Sequence, residues 1–120
     1  MDDLTAFLAA RLNEDETAAK AALGVTTGSR YEGQPREWVY FWSIRGPEQT
    51  IREVEAKRAI MTEHDPCYPT YYPTPSGQPT CGVCHSGGFD WDPERWPCAT
   101  VRALAAVWSD HPDYRPEWKP

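Results

Sequence analysis

Four side chains in the second half of the chain have the types and spacing of a metal site. They are His64, Cys81, Cys84 and Cys98, arranged as His-x16-Cys-x2-Cys-x13-Cys. Two residues between thiolates let both sulfurs of Cys81-Gly-Val-Cys84 meet one ion, and the glycine is expected to relax the turn. Three thiolates and one imidazole fill a tetrahedral set, which is the pattern of structural Zn2+ rather than of a catalytic ion with an open position. Three rivals stand nearby. Cys67 in place of His64 makes an all-cysteine set that suits zinc and equally a four-iron cluster. His85 follows Cys84 directly and would strain to reach the same ion, and His111, in a His-Pro-Asp turn, reads as a surface or packing residue.

Other chemistry has little support in the sequence. A zinc deaminase needs a His-x-Glu beside its Pro-Cys-x-x-Cys, and here Pro79-Thr-Cys81 has no such partner. No glycine-rich phosphate loop, nucleophile elbow or paired carboxylates stand out, so an enzyme is not expected. No charged-then-apolar leader opens the sequence, and the expected compartment is the cytoplasm. There a Cys-x-x-Cys means metal or redox chemistry more often than a structural disulfide.

The site has to be assembled by elements far apart in sequence. Leu4, Phe7, Leu8 and Leu12 follow helical spacing, and alanines at 18, 19, 21 and 22 extend a first helix over residues 3–23. Asp2 or Asp3 is placed to cap it and Gly24 to close it, while Glu16 and Lys20 are spaced as an i, i+4 pair. After a Gly, Thr and Ser-rich stretch, Trp38-Val-Tyr-Phe-Trp-Ser-Ile44 reads as an aromatic strand, half of a small hairpin with residues near 25–31. A second helix is expected over 48–63, ending before Asp65-Pro66 and leaving His64 at its end. Residues 66–80 hold five prolines and three tyrosines and read as an irregular loop. A third helix is expected over 97–108, with Val101, Leu104, Ala105 and Trp108 as its apolar stripe. That helix places Cys98 in its first turn, where the partial positive charge of the N-terminus lowers a thiol pKa. In the proline-broken tail, Tyr114 and Trp118 are expected to pack back onto the domain.

Composition agrees with a stapled fold. Leu, Ile, Val and Phe are only 17 of 120 residues, against 12 prolines and 6 tryptophans. An aliphatic core this thin calls for an additional staple, and bound metal supplies one. The chain carries 12 basic and 18 acidic residues, a net charge of -6, and the basic residues are not clustered. That weighs against nucleic-acid binding through phosphates, and no apolar stretch is long enough to span a bilayer.

Several stretches together carry a resemblance. These are residues 2–16, Arg52 to Ile60 with His64, Cys81-x-x-Cys84, Pro97-Cys98-Ala-Thr-Val-Arg102, and Ser109-Asp-His-Pro-Asp-Tyr-Arg-Pro-Glu-Trp118. They resemble a family of small domains of unknown function from streptomycetes, related actinobacteria and their phages. The resemblance implies His64 rather than Cys67 as the fourth ligand, and it implies no activity. The expectation is therefore an α+β, mostly α, fold in a single domain over residues 1–120. It has three helices and a small aromatic strand or hairpin, stapled by zinc on His64, Cys81, Cys84 and Cys98. The expected role is a non-enzymatic interaction or regulatory module with an unknown protein partner. An iron-sulfur or thiol redox sensor is the alternative.

Overall fold

The computed structural model describes residues 2–24, 33, 35–36, 45–67, 77–85 and 93–120. The aromatic run 38–44, its hairpin partner near 25–31 and most of the Pro-Tyr loop lie outside the described residues. Within them the fold is mostly helical with a small antiparallel sheet. The order is α1 (Asp3–Gly24), α2 (Pro47–Glu63), β1 (Pro66–Cys67), β2 (Thr80–His85), β3 (Pro93–Arg95) and α3 (Ala99–Ala105). Single 3-10 turns follow at Ala106–Trp108 and Pro116–Trp118. None of these helices is long and apolar enough to cross a membrane.

Two compact units are present, Met1–Leu8 with Ala59–Pro120, and Ala9–Arg58. In the first, the core is Leu4, Phe7, Leu8, Cys81, Cys98, Val101, Ala105 and Trp118. Asp2 starts α1 by accepting hydrogen bonds from the Leu4 and Thr5 amides, both 3.1 Å, and a third from the Thr5 hydroxyl. Burial raises the Asp2 pKa, but hydrogen bonds, those from Thr5 first and then from Trp96, together hold the carboxyl below its ordinary value. Trp118 anchors the tail as expected. Its ring lies 5.1 Å from Phe7 and 5.8 Å from Tyr114 between centroids, with the Arg115 guanidinium 5.4 Å from its own. Aromatic area of this kind compensates for missing aliphatic residues.

The sheet runs β1-β2-β3, antiparallel throughout. It corrects the expectation of an irregular loop over 66–80 at both ends, because Pro66, Cys67 and Thr80 are strand residues. Proline is tolerated at Pro66, the first residue of an edge strand. Gly77, with a φ of 65°, makes a left-handed bend ahead of β2 that a side chain would resist. The third helix is shorter than its apolar stripe suggested and tightens to 3-10 geometry at Ala106–Trp108.

In the second unit Leu12, Ala19 and Val54 are buried. Arg11 is buried too, and Glu14 satisfies it through bonds of 2.9 and 2.6 Å. Glu16 meets Lys20 at 2.8 Å, the expected pair, and also Arg58 of α2 at 2.8 Å. Arg58 and then Lys20 hold the Glu16 carboxyl down at about 2. A lowered carboxylate pKa stabilises the fold above its ordinary value and ceases to as pH falls through the folded one. Glu16→Gln should therefore lower stability slightly at neutral pH, and the gap to the parent should close between about pH 4.5 and 2. Parallel denaturant titrations at pH 7 and pH 2 check this, and a gap unchanged by acid would show that the ion pairs contribute nothing.

Candidate metal centre

Helix α2 stops at Glu63 because Pro66 forces the residues before it out of helical geometry. The next residue, His64, still bonds its amide to the Ile60 carbonyl at 3.0 Å, so its ring is carried by the end of the helix. Pairing to β2 begins at once. The Gly82 amide donates to the Asp65 carbonyl at 3.2 Å, and Pro66 lies opposite Cys81. That places His64 within reach of the Cys-x-x-Cys.

Cys81 and Cys84 are three residues apart, so in a regular strand they would point to opposite faces. The register between β2 and β3 is broken: Thr80 pairs with Arg95 and His85 with Pro93, so five steps along β2 face two along β3. The surplus residues bulge, alternation is lost, and both sulfurs reach one point. Gly82 does not supply the turn expected of it. It lies in β2 without positive φ, and a Cβ there would meet only the Asp65 carbonyl at 3.7 Å.

Cys98 is the N-cap of α3 rather than a residue of its first turn, and its side chain makes no capping bond. The Glu94 carboxylate instead accepts the Ala99 amide at 2.9 Å, placing an acid at the positive end of the helix. Cys98 is thereby free to turn inward. Sequence reasoning missed Glu94 because it lies in a strand, five residues from the amide it caps.

His64, Cys81, Cys84 and Cys98 come together with one donor atom from each, all within 4.8 Å of one another. The His64 Nδ1 is 3.5 Å from Cys81 Sγ, 3.3 Å from Cys84 Sγ and 3.5 Å from Cys98 Sγ. Cys81 and Cys98 are 2 % and 0 % exposed and belong to the hydrophobic core, whereas His64 and Cys84 are half-buried. Burial, then the Cys81 thiol and the Cys98 sulfur, push Cys84 up to about 12. Burial also raises Cys98, so the expected lowering by the helix N-terminus is outweighed. Sulfurs this close favour their protonated forms unless a cation joins them, and a bound cation reverses that preference.

Two of the rivals fall elsewhere. Cys67 is exposed and paired with Thr80, not with Cys81, so it lies outside the cluster. His111 packs edge-on against Phe7 at 5.7 Å and accepts the Asp113 amide at 3.1 Å, in keeping with a packing residue. The His85 side chain lies outside the described residues. No curated protein and no solved structure matches the chain. A model of a family of unknown function does match, over residues 1–120, and the chain belongs to that family, DUF6221.

Proposed function

We propose that this protein is a zinc-stapled, non-enzymatic module that works through protein contacts in the cytoplasm of an actinobacterium or its phage. The observation that carries the zinc is the near-equal spacing of three sulfurs around one imidazole nitrogen. Tetrahedral zinc, with bonds of about 2.3 Å to sulfur and 2.0 Å to nitrogen, sets sulfur and nitrogen about 3.5 Å apart. The three distances here are 3.5, 3.3 and 3.5 Å. A four-iron cluster separates its ligands by the width of its cube and would need Cys67, which stands outside a group only 4.8 Å across. With His64, Cys81, Cys84 and Cys98 all as ligands, no position is left for a water or substrate, which favours a structural role.

Elemental analysis and an absorption spectrum of the purified protein test this together. One colourless zinc per chain is expected, and the broad visible absorption of an iron-sulfur protein would overturn it. Pull-down from an actinobacterial lysate, with and without chelator, tests the contact role. A partner should be held by the metal-loaded form and lost on chelation.

A further inference from the structure

The four donors are not equally protected. Cys98 is 0 % exposed and Cys81 2 %, both within the core that includes Leu4, Leu8, Val101 and Trp118. Cys84 is half-buried, and the two residues linking it to Cys81 are open: Gly82 is exposed and Val83 is 45 % exposed, a large apolar side chain at the surface. The bulge that gathers the sulfurs therefore pushes this part of the site outward. Cys81 and Cys84 also share a strand, whereas Cys98 arrives at the head of a separate helix.

We propose that the site is a peroxide-sensitive switch in which oxidation joins Cys81 to Cys84 and releases the ion. This rests on the zinc reading above. The Cys84 thiolate attacks hydrogen peroxide, the O–O bond breaks, and Cys84 becomes a sulfenic acid while hydroxide leaves. The Cys81 thiolate then attacks the Cys84 sulfur, the S–O bond breaks, a second hydroxide departs, and the disulfide forms. Two thiolates have given up two electrons and one peroxide has become two hydroxides. His64 and Cys98 remain, and two donors do not retain an ion held by four. A dithiol reductant with added zinc restores the site.

Zinc-loaded protein is treated with hydrogen peroxide while release is followed with a chromogenic chelator, and the cysteines are mapped by mass spectrometry. One ion should leave for each Cys81–Cys84 disulfide, with Cys98 reduced in the early products. Cys67, exposed and outside the site, reports that peroxide is acting, and Cys67→Ser should release zinc at an unchanged rate. Zinc retained while Cys67 is oxidised overturns the switch, as does a disulfide from Cys67 or Cys98 in place of Cys81–Cys84. These outcomes leave the zinc reading standing. Protein that carries no zinc at the outset overturns both.

Discussion

Cys84→Ser is expected to abolish stoichiometric metal binding and the cooperative unfolding of the unit formed by Met1–Leu8 and Ala59–Pro120. A structural zinc is worth about 10–16 kcal/mol in small peptide systems, against a total stability of about 5–15 kcal/mol for a typical domain. Among the described residues the buried core of this unit is eight side chains, two of them the ligand candidates Cys81 and Cys98. Without an ion the variant would hold two thiols, a hydroxyl and an imidazole packed together with no cation to join them. Chelation of the parent should reproduce the effect, with amide protection lost more from this unit than from Ala9–Arg58. Cys67→Ser, at an exposed strand position, should keep both metal and transition. His64→Ala should weaken metal binding far more than His111→Ala, whose ring packs against Phe7 and accepts the Asp113 amide outside the cluster. Metal content and denaturant unfolding of the four variants decide it: a Cys84→Ser protein that unfolds like the parent would remove the ion from the account of stability.

Metal affinity is expected to rise steeply with pH, by up to about a thousandfold per unit wherever all three thiols are protonated in the free protein. Each thiolate ligand must lose a proton before it can bind, so protons and metal compete. The sign is fixed by that competition: acid weakens binding and alkali strengthens it. Cys84 shows the effect most plainly, since burial, Cys81 and Cys98 push its thiol up to about 12 without metal. An ion that binds there would therefore have to expel that proton at neutral pH. Competition titrations against a chromogenic chelator between pH 6 and 8, with proton release measured in weakly buffered solution, test this. Release of fewer than two protons per zinc at pH 7 would show that the thiols are not the ligands.

Part of the fold was legible because it depends on local rules. Leu4, Phe7, Leu8 and Leu12 repeat at helical spacing, and α1 buries all four. Pro66 stopped α2 where the pre-proline restriction requires. The sheet was not legible. Its strands are two, six and three residues long, with Pro66 and Pro93 among them, and their pairing is a long-range choice that no local alternation announces. The shortening of α3 was also hidden, since the same apolar stripe serves an α-helix and a 3-10 turn.

The sequence by itself determined the donor types and the order in which they arrive. It placed one histidine at the end of a helix, two cysteines close together and a third in the expected first turn of another helix, in a chain poor in aliphatic residues. Tertiary structure decided which donors meet. Pairing Pro66 with Cys81 brought His64 to the knuckle and left Cys67 opposite Thr80, outside the cluster. The broken register of β2 turned two sulfurs of odd spacing toward one point. It also decided that the first residues of α1, distant in sequence, complete the core around the sulfurs. The physical reason is the range of the forces involved: helix periodicity and proline act over a few residues, whereas register and burial depend on partners that only the folded chain supplies.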